Sequence, residues 1–165
     1  MDRMANEATA FPAGKLAHGP RGKVGPMAEE VRTITFTVPG RPVPKARPRV
    51  YRGKAHTPAS TLAFEQSVRV LALEELRGRG VIDGAVKVAI QAQYAVPKSY
   101  SKAKALKAIR GEIRPRGGDI DNIAKSVLDG LQGAAFKDDA SVAKLFAGKC
   151  FGHADQTIVT VEALA

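Results

Sequence analysis

Residues Gly117–Val142 read GGDIDNIAKSVLDGLQGAAFKDDASV, and in a chain of 165 residues with a formal net charge of +10 they hold five of the sixteen acidic side chains, all aspartates. Wound as a helix at about 100° per residue, Ile120, Ile123, Ala124, Val127 and Leu131 share one face, while Asp121, Asn122, Lys125 and Asp129 share the opposite one. The stretch is therefore predicted to be an amphipathic helix that buries an aliphatic side and presents two carboxylates, a carboxamide and an ammonium. Asp119 stands at the N-cap position, where its charge and that of Asp121 meet the positive end of the helix dipole. A loop containing Gly133 then reverses the chain ahead of Asp138 and Asp139, just before a strand.

The flanking segments set the fold class. TITFTV, from Thr33, alternates β-branched and apolar residues and predicts a strand ending at Pro39. PASTLAFEQSVRVLALEELRGRG, from Pro58, carries Leu62, Phe64, Val68, Leu71 and Leu76 at helical spacing and closes on glycine. AVKVAIQAQYAV, from Ala85, is a second alternating strand, and KSYSKAKALKAIRGE, from Lys98, is a short helix with a lysine-rich face. SVAKLFAGKCFG and QTIVTVEAL close the chain as two strands, most simply a hairpin. The order β, α, β, α, α, β, β predicts an α+β fold: a single domain over residues 31–165, with a mixed sheet and helices mainly on one face. Residues 1–30, rich in Gly, Pro and Lys and without periodicity, read as a flexible basic N-terminal tail, within which Met27 is a candidate start of translation.

Composition narrows the function. A pI near 10 calls for a polyanionic partner, nucleic acid ahead of an anionic membrane. One cysteine, Cys150, excludes an intrachain disulfide and any cysteine-based zinc site, which points to a reducing compartment and a cytoplasmic location. No apolar run reaches the roughly 18 residues of a membrane span, and no apolar core of a secretory signal opens the chain. His18, His56 and His153 have no spacing suited to a metal or a triad.

An N-cap aspartate followed by a first-turn aspartate is also ordinary helix punctuation, and Asp138 and Asp139 taken alone read equally well as a solvated turn. Together, with only Lys125 and Lys137 among them, the five aspartates repel one another. A hard divalent cation relieves that repulsion: Mg²⁺, with Mn²⁺ as the alternative, accepts carboxylate oxygens while keeping water and phosphate ligands. Asp138 or Asp139, returned toward the helix by the chain reversal, would add a further carboxylate. Lys125 is either an i,i+4 partner of Asp121 and Asp129 or a stabiliser of charge on a scissile phosphate.

The basic residues bracket this cluster. RPVPKARPRVYRGK, Arg41–Lys54, has six lysines and arginines, no acid, and prolines that hold it extended. Lys45, Arg47, Arg49 and Arg52 there, and Arg114 and Arg116 immediately before the aspartates, are candidate contacts to a DNA backbone.

The chain resembles the RusA-type Holliday junction resolvases, especially their phage and prophage branch. The resemblance rests on GRPVPKARPRVYRGKAHTP, DIDNIAKSVLDGL, FKDDASV and KCFG, across about Ile34 to Gly152. It implies that Asp119, Asp121 and Asp139 are the catalytic, metal-binding set, that Lys125 is essential, and that a homodimer nicks two opposed strands of a four-way junction. Asn122, Asp129 and Asp138 are secondary candidates for hydrogen bonding in the site. Gly118 departs from the pattern, which often has proline before the first aspartate. The expected activity is Mg²⁺-dependent hydrolysis of branched DNA in recombination and repair, with no membrane partner. A non-catalytic basic nucleic-acid-binding module, and a nuclease that cuts flaps or other branched DNA, are the alternatives. The module accounts for the charge but leaves the aspartates unexplained.

Overall fold

In the first strand, β1 (Thr33–Pro39), Ile34, Phe36 and Val38 point inward and the threonines between them point out, the two-residue period of a half-buried strand. A computed structural model of the chain describes residues 32–47, 49–51 and 54–164, with the backbone alone at 49–51 and 54–56. The tail assigned to residues 1–30 lies outside the described residues. The proline-punctuated basic strip carries no regular structure over residues 42–47, and beyond it β2 (Arg49–Tyr51) and β3 (Lys54–His56) form a short antiparallel pair. There follow α1 (Ala59–Leu76), β4 (Val86–Ala95), α2 (Lys102–Ile109), α3 (Ile120–Leu131), a 3₁₀ turn (Asp139–Ser141), β5 (Val142–Gly152) and β6 (Gln156–Ala163).

The main sheet has the order β1-β6-β4-β5. β6 is antiparallel to both β1 and β4, and β5 is parallel to β4, so the sheet is mixed and the molecule is the single α+β domain expected. The expected C-terminal hairpin does not form, because β4 lies between β5 and β6. Parallel neighbours need a long crossover, and α2 and α3 supply it between β4 and β5. The chain then passes over the end of β4, where Gly152 O accepts from the Val96 N–H (3.2 Å) and Asp155 Oδ1 from the Ala95 N–H (2.8 Å). That loop satisfies the last amides of β4 and delivers β6 to its far side.

One face of the sheet is covered by α1 and α3. Ile34, Phe36, Val38, Val86, Val88, Ile90, Val159 and Val161 of the sheet meet Phe64, Val68, Ala72 and Leu76 of α1 and Ala124, Val127 and Leu131 of α3 in one core. The two helices touch at Gly130, where an added Cβ would lie 2.7 Å from Glu65 O and 2.8 Å from Val68 Cβ. Only a glycine lets the backbones approach that closely. Burying such a core contributes about 1.5–3 kcal/mol for each large aliphatic side chain, which fixes α3, and with it the aspartate face, against the sheet.

Candidate active site

The helix predicted from the aspartate-rich stretch is α3, with Ile123, Ala124, Val127 and Leu131 buried and Asp121 and Lys125 exposed. Asp119 occupies the N-cap with an extended backbone (φ −78°, ψ 135°), yet its side chain makes no capping hydrogen bond. The punctuation reading of Asp119 therefore lacks its defining contact. Its exposed carboxylate shares the open end of the helix with that of Asp121.

The loop leading into Asp119 is tied down from the sheet. Tyr94 Oη donates to Gly117 O (2.9 Å), and Lys149 Nζ donates to Gly118 O (2.8 Å) and Gly117 O (3.4 Å). Burial raises the pKa of the Tyr94 phenol, against the opposing pull of Arg41, which keeps the hydroxyl protonated as a donor. Gly118 has φ +57°, a left-handed conformation closed to proline, whose ring fixes φ near about −65°. The glycine that departs from the family pattern is thus required by the route this loop takes. Lys149 was not among the predicted site residues. The signal for it was its place in the alternation of β5, where a lysine follows Leu145 and Ala147 on the side facing the helices.

Further along α3, Asp129 is held by two lysines: Lys45 Nζ lies 2.7 Å from its Oδ2 and Lys125 Nζ 3.7 Å from its Oδ1. Lys45 also contacts Glu65 Oε1 at 2.5 Å, and its backbone N–H donates to Asn122 O (2.8 Å). Burial lowers the Lys45 pKa, but hydrogen bonds to Asp129 and Glu65 outweigh that and leave it above the ordinary lysine value. Lys45 therefore pins the basic strip to α3 and α1 rather than facing solvent. Asp129 belongs to the same internal network. Lys125, with a side chain 60% exposed, keeps its ammonium accessible one turn after Asp121. Arg47, Arg114 and Arg116 are exposed; Arg52 and the side chain of Arg49 lie outside the described residues.

Asp138 and Asp139 do not return to this end of α3. Asp139 opens the 3₁₀ turn before β5, whose first residue, Val142, pairs with Val86 at the start of β4; Lys149 and Tyr94, which hold the Asp119 loop, sit near the other ends of those strands. The seven residue steps from Val142 to Lys149, at about 3.3 Å each, set Asp139 apart from Asp119 by on the order of 20 Å. Among the described residues no group of three or more His, Cys, Asp or Glu side chains could hold a metal ion. One chain brings together Asp119, Asp121, Asn122 and Lys125, and leaves Asp139 at the opposite end of the sheet. Asp138 stands at the N-cap of that turn without a capping hydrogen bond; its Oδ1 accepts from Ser141 Oγ at 3.4 Å.

A basic α+β domain with two exposed carboxylates and an exposed lysine on one helix is equipped for work on phosphodiesters. The chain belongs to the RusA family of endodeoxyribonucleases: the family model described as Endodeoxyribonuclease RusA matches residues 39–162. It is also similar to a protein of Bacillus subtilis (strain 168) described as "Uncharacterized protein YqaN", 36% identical over 135 residues that cover 78% of this chain and 94% of that one. RusA-family nucleases act on branched DNA and generally depend on a divalent metal ion. The family match takes in both aspartate pairs and Lys125. Among the described residues, no helix is long and apolar enough to cross a membrane.

Proposed function

We propose that this protein is a Mg²⁺-dependent endodeoxyribonuclease, with Mn²⁺ able to substitute, that resolves four-way DNA junctions by paired nicks during recombination and repair in the cytoplasm. The observation that carries the reading is the exposed, uncapped Asp119 beside Asp121 and Lys125, in a chain of the RusA family. Two carboxylates from one helix end suit Mg²⁺, which keeps several waters and accepts phosphate oxygens in place of a full protein cage. When bound, the ion supplies Lewis acidity and an activated water. Asp119 and Asp121 would hold the ion, Lys125 would stabilise the charge that builds on the phosphate, and Asn122 would hydrogen-bond a phosphate oxygen. Arg47, Arg114 and Arg116 grip the backbone on either side, and Asp138 supports the turn that presents Asp139.

The reading includes a homodimer, and β5 supports it. An edge strand of eleven residues with both Leu145 (46% exposed) and Phe146 (52% exposed) uncovered is a template for pairing with another strand. Antiparallel pairing of β5 with its own copy about the strand midpoint lays the start of one strand against the end of the other. Asp139 of the partner subunit then comes to the Asp119 end, and each of two symmetric sites gains its third carboxylate. Two symmetric sites suit a two-fold symmetric junction that must be cut in two strands.

The test is cleavage of a mobile four-way junction against duplex and flap controls, with and without Mg²⁺. Metal-dependent paired nicks in the junction are expected. Cleavage of flaps alone would replace the resolvase reading with that of a flap nuclease, and junction binding without cutting at any metal concentration would leave only a basic binding module.

A further inference from the structure

Beside the candidate active site lies an open pocket of about 790 Å³, within the range of sites that take a nucleotide-sized ligand. Gly117, two residues before Asp119, forms part of its wall, so the pocket and the aspartates share one loop. Arg41, Lys104, Arg114 and Arg116 line it, and Asp155 is the one carboxylate among its lining residues. Asp155 already accepts the Ala95 N–H (2.8 Å), and among the described residues none of the four cations makes an ion pair. Lys45 and Lys87, elsewhere on the protein, are paired to carboxylates. The pocket's cations are thus left for an anion from outside.

Charge alone would fit any stretch of DNA backbone. The rings make a narrower demand. Two of the chain's three tyrosines, Tyr94 and Tyr100, line the pocket with Phe151, in a protein that has no tryptophan. Tyr100 and Phe151 meet edge to face (6.0 Å between centroids, 63°), Lys104 Nζ sits 4.0 Å from the Tyr100 ring centre, and Arg41 lies 5.8 Å from that of Tyr94. Tyr94 is buried and serves as wall, whereas the half-buried Tyr100 and Phe151, fixed by each other and flanked by unpaired cations, form a stacking platform for a base whose phosphates are held at the rim. Bases inside a duplex have their faces covered by neighbouring bases. A base at a branch point can leave its stack.

We infer that the pocket receives an unpaired nucleotide of the DNA substrate, its base against the Tyr100 and Phe151 rings and its phosphates on Arg114 and Arg116. The inference rests on the reading of the protein as a nuclease of branched DNA. Occupancy holds the strand open next to Asp119 and favours DNA that offers an unpaired base.

The experiment compares the protein's affinity in EDTA for a single strand of about 15 nucleotides with that for a duplex of the same length. In parallel, 2-aminopurine is placed either at the branch point or in an arm of a four-way junction. Wild type should change the fluorescence of the branch-point base far more than that of the arm base. Tyr100→Leu should weaken single-strand binding about tenfold or more while leaving duplex binding nearly unchanged. Should Tyr100→Leu lose its circular-dichroism spectrum, Lys104→Gln, on an exposed position of α2, replaces it and is read by the same ratio. Equal losses for single strand and duplex, or no loss for either, would overturn the stacking role and leave the pocket as a backbone grip. A protein that cuts junctions but shows no ring-dependent single-strand preference keeps its nuclease assignment and loses the pocket. One that shows the preference but cuts nothing does the reverse.

Discussion

β4 and β5 run side by side and parallel, ten residues against eleven, yet their surroundings are opposite. β4 is flanked on both sides, and every second side chain from Val86 to Tyr94 is buried. β5 is bonded on one side only, and Ala143–Ala147 are exposed on both faces. The apolar residues of β4 are explained by the chain's own core; Leu145 and Phe146 of β5 are not. A buried strand reports on the fold, and an apolar edge strand reports on what the fold meets. The two ends of β5 differ as well, with Asp139 leading into its start and Lys149 holding the Asp119 loop near its finish.

The largest effect should come from the first turn of α3, whose entry loop the finish of that strand holds. Asp121→Asn removes the charge proposed to bind metal from an exposed position, so junction cleavage should fall by at least about 100-fold while junction binding persists, read by gel assays on one preparation. Loss of binding and cleavage together would make Asp121 a residue of the fold. On the side of the sheet that the protein covers itself, Gly130→Ala forces a Cβ into Glu65 O and Val68. It should cost about 1–3 kcal/mol in urea unfolding, and an unchanged midpoint would mean that α1 and α3 are less closely joined than they stand here.

On the uncovered edge, Phe146→Ser should leave the fold of the protomer intact but weaken self-association about tenfold, measured by sedimentation at micromolar concentration. If unfolding shifts instead, Phe146 belongs to the core and the contrast between the strands is smaller than drawn. The smallest effect concerns Lys45. Its pKa in the fold is raised above the ordinary 10.5, so its pairing with Glu65 and Asp129 is fully present below that pH and is lost as the pH rises through the folded value. Wild type should therefore lose stability above about pH 10.5 relative to Lys45→Met, by less than about 1 kcal/mol given the partial exposure of the pair. Parallel alkaline melts would contradict it.

Much of this was legible in the chain. The helical spacing of Ile123, Ala124, Val127 and Leu131 and the alternation in TITFTV and VKVAIQAQYA carry the elements and the buried faces, because periodicity follows from local geometry. Strand neighbours do not: β5 and β6 look like a hairpin until the loop over the end of β4 places one on each side of it. Asp119, Asp121 and Lys125 were legible as a cluster since one helix presents them. Asp139 was legible as a residue type but not as a position, because only the parallel pairing of β4 with β5 carries it to the far end. From its basic neighbours Lys45 reads as a DNA contact, and only the packing of α1 against α3 supplies Glu65 and Asp129 as its partners.

The central claim is that each active site draws Asp119 and Asp121 from one subunit and Asp139 from the other. Asp121→Asn and Asp139→Asn chains, each expected to be inactive alone, can be co-expressed with different tags, isolated as the mixed dimer and assayed for nicking of a four-way junction. In a shared arrangement one site collects both substitutions and the other collects none, so the mixed dimer should recover single-strand nicking at about half the wild-type number of sites. If each chain builds its own site, both sites of the mixed dimer carry one substitution, and the recovered activity would be nil.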